Sequence, residues 1–315
     1  MIQQGIFGTS LPVIASHEGA GTVVAGGASV EDWKGSRVMC GLPFHSCGKC
    51  LDCTGPTESW RQYCIRVEGH CGVHRNGFFS EYAVCDARST TRLPNEISFL
   101  SAAPLACAGR TSWRGVEQAG LAPGQWLAIV GSGGGLGHLG VQFAKKKGLK
   151  VVGIDARDDG LEISRTMGAD LVVDARKGKD AVVKQIQEAV GGTGTDATVT
   201  LSDAPSAAAL GCAVTKMHGT MVQIAQPAEV VIPFQELVMR DIRVHGSVVS
   251  SPQESENMVH FIAENGVSVK TNVFDGLDKI ETLLEKVHSG KMQGKAVIVV
   301  DQDQIKKEKE LGAKY

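Results

Sequence analysis

In the first hundred residues the apolar positions come in short runs separated by Gly, Pro and Asn, as in Gly21-Thr-Val-Val-Ala25, Ser36-Arg-Val-Met-Cys40 and Phe79-Ser-Glu-Tyr-Ala-Val84. Runs this short, bounded by turn formers, predict the strands of a small and irregular β domain. Beyond Pro104 the rhythm changes to strand, helix, strand. Trp126-Leu-Ala-Ile-Val130 predicts a strand, residues 135–147 a helix and Val151-Val-Gly-Ile154 a second strand, together a parallel βαβ unit. Further short apolar runs follow at Leu171-Val-Val173, Ala197-Thr-Val-Thr-Leu201, Met221-Val-Gln-Ile-Ala225 and Val244-His-Gly-Ser-Val-Val249, mostly separated by helical stretches. Six such strands complete a doubly wound parallel sheet, an α/β fold. Residues 251–294 read as mostly helical, Lys295-Ala-Val-Ile-Val-Val300 as a closing strand, and the charged tail 301–315 as a solvated helix.

This change of rhythm divides the chain into residues 1–102 with 252–315, and 103–251. A length of 315 residues with 43% hydrophobic content accommodates two domains with ordinary cores. The formal charge of −2 and pI near 6.5 supply no basic field for nucleic acid or an anionic membrane. The lysine-rich part of the tail is short and balanced by acidic residues, so it adds no nucleic-acid signal. No apolar run approaches the roughly 20 residues that span a bilayer. Residues 1–11 carry neither the charged start nor the hydrophobic core of a secretion signal. A cytoplasmic protein acting on a small molecule is expected. Thirty-nine glycines against sixteen aromatics point to many tight turns, as a glycine-rich α/β enzyme requires.

Two segments carry recognisable chemistry. Gly131-Ser-Gly-Gly-Gly-Leu-Gly137 lies between a predicted strand and a predicted helix, where bare backbone lets a diphosphate approach the helix N-terminus. Gly131, Gly133, Gly134, Gly135, Leu136 and Gly137 are therefore candidate cofactor-binding residues. Asp155, ending the next strand, is placed to accept hydrogen bonds from an adenosine ribose, and its charge would repel a 2′-phosphate. NAD(H) is expected over NADP(H), with Arg157 the group that would receive such a phosphate. His138, just inside the helix, reads as a surface or packing residue.

The second segment is Cys47-Gly-Lys-Cys50-Leu-Asp-Cys53, followed by Cys64. Thiolates two residues apart turn toward one centre, and a four-sulfur shell leaves no open position, which describes a structural zinc lobe. A disulfide framework is the competing reading, against which stand an odd total of nine cysteines and the missing secretory context. Ten residues separate Cys53 from Cys64, a long final loop that makes Cys64 the least secure ligand.

With these segments in hand, the chain resembles the zinc-containing alcohol dehydrogenases of the medium-chain dehydrogenase/reductase superfamily, from about residue 11 to residue 300. Besides the lobe, His17-Glu-Gly-Ala-Gly21 is similar to the family's Gly-His-Glu segment, with Ser16 in place of its glycine. Pro104-Leu-Ala-Cys107-Ala-Gly109 resembles the segment that supplies a catalytic-zinc cysteine. The resemblance implies a Rossmann domain binding NAD over 103–251 and a GroES-like catalytic domain in the remainder. It implies His17 and Cys107 as catalytic zinc ligands, Glu18 beside or within their shell, and Thr111 near the coenzyme. Taken alone, His17 reads as a satisfied polar residue and Cys107 as a small buried hydrophobe. Arg110 stands where the family tends to place a small apolar residue, and a guanidinium there would alter coenzyme or substrate binding. Leu42 falls at a pocket position where a leucine would admit larger substrates. The strand 243–249, at a sheet edge by analogy, implies a homodimer or homotetramer.

The family also carries a cysteine followed by Ser, Thr or His well before its Gly-His-Glu segment. Only sixteen residues precede His17 here, and none is cysteine. The catalytic domain is accordingly expected to be incomplete at its N-terminus, one thiolate short, with Glu18 the nearest substitute and with unpaired strand edges and exposed apolar surface. A shortened dehydrogenase is favoured over a chain that has lost its chemistry. The reaction implied is hydride transfer between NAD(H) and a primary or secondary alcohol or its aldehyde or ketone. Two other readings remain: a non-catalytic nucleotide-binding protein, and a zinc-free quinone or enoyl reductase, against which the lobe and the His17/Cys107 pair stand.

Overall fold

A computed structural model describes residues 5–314; residues 1–4 and Tyr315, on which parts of the N-terminal and tail expectations fall, lie outside the described residues. Residues through Arg110 together with those from Val249 onward form one compact unit, and Thr111–Val248 the other.

The second unit is built on a six-stranded parallel sheet in the order Arg243–Gly246, Thr215–Gln223, Thr195–Thr200, Trp126–Val130, Lys150–Asp155, Leu171–Asp174. Chain order reverses between the two central strands, Thr195–Thr200 and Trp126–Val130, which makes the sheet doubly wound. Near-continuous apolar runs suit strands covered on both faces. Ala128, Val130, Val152, Ile154 and Val173 of the sheet are buried with Val182, Ile186, Leu210 and Val214 of the helices. All six runs read from the sequence are strands, although Thr215–Gln223 begins six residues ahead of Met221, with an irregularity between Thr215 and Thr220. The first helix spans Gly137–Lys146, two residues later than predicted. Leu136 is its cap, and the Leu136 carbonyl already accepts the Leu139 and Gly140 amides and the Ser112 hydroxyl at 2.8 Å. His138 is fully buried in this helix, a packing residue.

The first unit has shorter and more scattered strands. Ala20–Thr22, Arg37–Met39 and Thr91–Arg92 form a three-stranded antiparallel sheet, and Pro43–Phe44 pairs with Gly69–His70. Residues 79–84 are not a strand. Within this stretch the backbone bond from the Phe79 amide reaches Ala15, and Tyr82 and Val84 are exposed rather than alternating against a core. Residues 251–294 are not wholly helical either. Pro252–Asn265 is a helix opened by a capping box of Ser251 and Glu254 and closed by Gly266 in the left-handed region. Thr271–Asp275 then forms a strand parallel to Lys295–Val299, with the helix Ile280–His288 between them.

The tail helix Gln302–Glu310 is capped by Asp301 but is not simply solvated. Glu308 is 2% exposed and pairs with Arg37 at 2.7 Å while accepting the Phe99 amide at 2.7 Å. Arg37 also donates to the Ile97 carbonyl and lies 4.6 Å over the Phe99 ring. A buried charge needs such multiple partners, and their arrangement binds the tail to the three-stranded sheet. Leu11, Ile65, Tyr82 and Val84 leave apolar surface exposed in this unit. Among the described residues no helix is long and apolar enough to cross a membrane.

Candidate functional site

The segment leading to His17 is held backbone to backbone. The Gly77 amide donates to Ile14 at 2.7 Å and the Phe78 amide to Ser16 at 2.9 Å. A Cβ on Gly72 or Gly77 would overlap the Ser16 carbonyl, so these two positions need glycine for the approach itself. Ser16 takes a φ of 72°, a conformation that favours glycine. Its hydroxyl offsets part of that cost by donating to the Glu18 carbonyl at 2.9 Å. This explains both the glycine expected there and how serine replaces it.

Cys107 lies in a π-helical turn, Leu105–Gly109, inserted between the helices Phe99–Pro104 and Arg110–Gln118. Such turns widen a helix locally and are frequent at functional sites. The result is convergence: one donor atom each from His17, Glu18 and Cys107 lies within 4.8 Å of the others. Burial holds the His17 imidazole below its ordinary pKa against the opposing pull of Glu18, which keeps it in the neutral, metal-ligating form.

Sequence reasoning missed the group that restrains Glu18. Lys295 Nζ lies 2.8 Å from each of its carboxylate oxygens, and the Ala108 amide donates to Oε1 at 3.3 Å. Burial works against the charge on Lys295, but Glu18 and then Cys107 outweigh it and raise its pKa. The only signal in the sequence was a lysine opening the last strand, 277 residues from Glu18.

Cys47, Cys50, Cys53 and Cys64 converge in the same unit, their sulfurs within 4.8 Å of one another. Cys50 caps a one-turn helix, Leu51–Thr54, and its sulfur is 3.5 Å from Cys53 and 3.9 Å from Cys64. The long spacer is taken up by a 3-10 turn, Glu58–Tyr63, which returns Cys64 to the cluster. Arg61 pins it, donating to the carbonyls of Asp52 at 2.7 Å and Gly55 at 2.8 Å. Acidities within the cluster are split. The Lys49 and Cys50 amides draw Cys47 down to about 6, whereas burial, with Cys64 and Cys50, pushes Cys53 up to about 12. Four sulfurs this close cannot all ionise without a cation, and a soft divalent ion fits the donor set.

Arg110 does not project as a free guanidinium. It is 1% exposed and donates to the Ser250 hydroxyl at 3.2 Å, the Ser250 carbonyl at 2.5 Å and the Ser89 carbonyl at 3.4 Å. These donations tie the Arg110 side chain to residues 89 and 250. Burial lowers its pKa to about 10, so it stays charged at neutral pH.

In the second unit the glycine turn follows Trp126–Val130, with Gly131 at φ 87°. A Cβ on Gly133 would overlap the Gly160 carbonyl, and one on Gly137 would overlap Gly131 and Ser132. Gly134 donates back to Gly131 at 3.1 Å, and among the described residues the Gly135 and Leu136 amides make no backbone hydrogen bond. Those two amides at a helix N-terminus suit a diphosphate. Asp155 is 6% exposed and accepts the Gly133 amide at 3.0 Å, the Ala156 amide at 2.9 Å and the Arg157 amide at 3.1 Å. The Arg157 side chain adds two longer contacts, 3.3 and 3.5 Å, the ones a ribose hydroxyl would displace. Thr111 is buried near the start of the helix Arg110–Gln118.

Residues 135–264 match the model of the zinc-binding dehydrogenases, and residues 1–95 that of the alcohol dehydrogenase GroES-like domain. The chain is 34% identical to an alcohol dehydrogenase of Geobacillus stearothermophilus over 92% of its own length and 84% of the relative's. It is also 34% identical to an alcohol dehydrogenase of Rhizobium meliloti, over 91% and 82%. The crystal structure of the alcohol dehydrogenase of the archaeon Aeropyrum pernix superposes with a TM-score of 0.84 at 28% identity, covering 95% of this chain and 86% of that one. With two donor clusters in a GroES-like unit and a glycine turn on a doubly wound sheet, the chain belongs to the zinc-type alcohol dehydrogenases of the medium-chain superfamily, oxidoreductases acting on alcohols and their carbonyl products.

Proposed function

We propose that this chain oxidises a primary or secondary alcohol with NAD, or reduces the corresponding carbonyl with NADH, at the cluster of His17, Glu18 and Cys107. The observation that carries this reading is the convergence of three donor types on one point, with Glu18 gripped by Lys295. Zinc bound there supplies a Lewis acid that makes the alcohol oxygen more acidic. NAD supplies the hydride acceptor. The neutral His17 imidazole and the Cys107 sulfur are the two direct ligands. Glu18 is the adjustable one: its carboxylate stands at donor distance, but Lys295 and the Ala108 amide hold it and temper its charge. Cys47, Cys50, Cys53 and Cys64 hold a second, structural zinc. Gly131 to Gly137 take the diphosphate, and Asp155 takes the ribose once the Arg157 side chain moves aside, which favours NAD over NADP. Thr111 sits beside the coenzyme, by resemblance alone.

A zinc-free quinone or enoyl reductase is not favoured, because both donor clusters would then be without purpose. The strand Arg243–Gly246 ends the sheet in a single unit, and Val231, Phe234, Val238 and Met239 are exposed in that unit, which supports a homodimer or homotetramer. Sedimentation that shows only monomer rejects the oligomer.

The test is elemental analysis joined to an alcohol panel followed by NADH absorbance. Two zinc ions per chain with NAD-dependent oxidation are expected, one for each cluster. One zinc per chain, NAD binding and no turnover would overturn the catalytic assignment.

A further inference from the structure

Outside the two donor clusters, two imidazoles of the first unit stand at ligand spacing near its surface. His70 ends the strand Gly69–His70, and the chain turns at once: the amides of Val73, His74 and Arg75 all donate to the His70 carbonyl, at 3.1, 2.9 and 3.2 Å. The bond from His74 spans four residues, as in one turn of α-helix, and puts the two side chains on the same side of the turn. This turn is fastened at its base. Cys71 bridges to Arg75, the Gly72 amide donates to the Arg75 carbonyl at 2.8 Å, and the Cys71 amide donates to the Leu42 carbonyl at 3.0 Å. A Cβ on Gly69 would come within 3.0 Å of the His74 Cβ, so glycine ahead of His70 leaves the space that His74 occupies.

His70 Nδ1 and His74 Nδ1 are 3.4 Å apart, with ring centroids at 5.4 Å and ring planes tilted by 49°. That separation exceeds the ~2.7–3.2 Å of a well-formed hydrogen bond from a ring N–H. It matches a shared ion instead, because two nitrogens bonded at ~2.0–2.1 Å to a tetrahedral zinc lie about 3.3–3.4 Å from one another. An ion that sets its ligands at right angles would draw them to about 2.8–3.0 Å. Burial, then His74 and His17, hold His70 below its ordinary pKa, which leaves its imidazole in the neutral form that a metal takes. Two residues before His70, Glu68 lies 2.6 Å from His45 Nδ1 and pairs with Arg75, so the Arg75 charge is neutralised beside the two imidazoles.

We propose that His70 and His74 form a further, peripheral zinc site, in which the two Nδ1 atoms supply two tetrahedral positions and water or an external donor fills the others. Two protein ligands in place of three or four make the site an exchangeable one: zinc enters from solution, and desalting removes it. His74 is exposed and His70 half-buried, which leaves the ion a path from solvent. The site shares no ligand with His17, Glu18 and Cys107 or with the four-cysteine lobe, so it stands or falls apart from the catalytic reading.

The desalted full chain is titrated with zinc chloride by calorimetry. Uptake of a further ion with micromolar affinity is expected. His74→Ala takes up one ion fewer than the natural chain, whereas His45→Ala, which alters the neighbouring contact with Glu68, takes up as many. A second readout needs no variant: labelling of the natural chain with diethylpyrocarbonate, mapped by mass spectrometry. Zinc lowers the labelling of His70 and His74 severalfold, desalting restores it, and the exposed His218 and His260 are labelled equally throughout. His70 and His74 labelled as fast with saturating zinc as without it overturn the site. So does a His74→Ala chain that takes up as many ions as the natural one, or a loss of uptake that follows His45→Ala instead.

Discussion

The two units reach order by different physical means. Thr111–Val248 buries long apolar strands on both faces of one sheet, so its stability is spread over many contacts, with Leu127, Ala128, Ile129, Val151 and Val152 all at 0% exposure. The other unit has strands of two to five residues, and its order depends on discrete polar devices: four converging sulfurs, the Arg37–Glu308 pair, the buried Arg110 and the Lys295–Glu18 pair. Distributed burial tolerates local change. Point-like devices do not, and they are also what lets a chain place catalytic donors at a chosen spot.

The largest expected effect separates the two units outright. Structural zinc in small folds is worth roughly 10 kcal/mol or more. Prolonged chelation should therefore expose the lobe to proteolysis around 47–64 while Thr111–Val248 keeps its protection, as peptide mapping of the digest would show. Equal protection of both units after metal removal would dissolve the contrast.

Next in size is Gly133→Ala. Its Cβ would overlap backbone of Gly160, which no side-chain rotation relieves, at a cost of about 2–3 kcal/mol. NAD affinity measured by calorimetry should fall at least tenfold while zinc content stays unchanged. Lys295→Met should do the converse. It frees the Glu18 carboxylate beside His17 and Cys107, and the loss of such an outer contact typically lowers activity or metal affinity ~10–100-fold. Steady-state kinetics should show this loss with NAD affinity unaltered; an unaltered rate would remove Lys295 from the site.

The smallest effect tests a point-like device of the sheet unit. Asp196 accepts the Trp126 amide at 2.7 Å and Gln125 at 3.1 Å, and pairs with Lys216. Burial opposes its charge, but Lys216 and the Trp126 amide prevail and hold its pKa below the usual carboxylate range. A lowered folded pKa contributes stability that is complete above about pH 4 and is lost as pH falls through the folded value. Asp196→Asn should cost ~1–2 kcal/mol near neutrality and flatten the acid side of the unfolding profile. A profile as steep as that of the natural chain would assign the acid sensitivity elsewhere.

Most of the second unit was legible because its signals are local. Hydrophobic runs mark strands, and a glycine turn after a strand marks the helix N-terminus that follows. Misreadings cluster in the first unit. Phe79-Ser-Glu-Tyr-Ala-Val84 reads as a short run bounded by turn formers yet pairs with no strand among the described residues, and Thr271–Asp275 is a strand only because Lys295–Val299 lies beside it. Pairing is a property of two segments, and one segment does not reveal it.

The same division runs through the chemistry. Residue types and spacings named the four-cysteine lobe and the glycine turn with Asp155, and the resemblance to a family added His17 and Cys107. Only the folded chain brought Cys107 to His17 from ninety positions further along the chain, set Lys295 on Glu18 and held Arg110 on Ser250. Backbone periodicity and short motifs are written within a few residues. Long-range convergence depends on how separate segments pack, and packing exists only once the tertiary structure has formed.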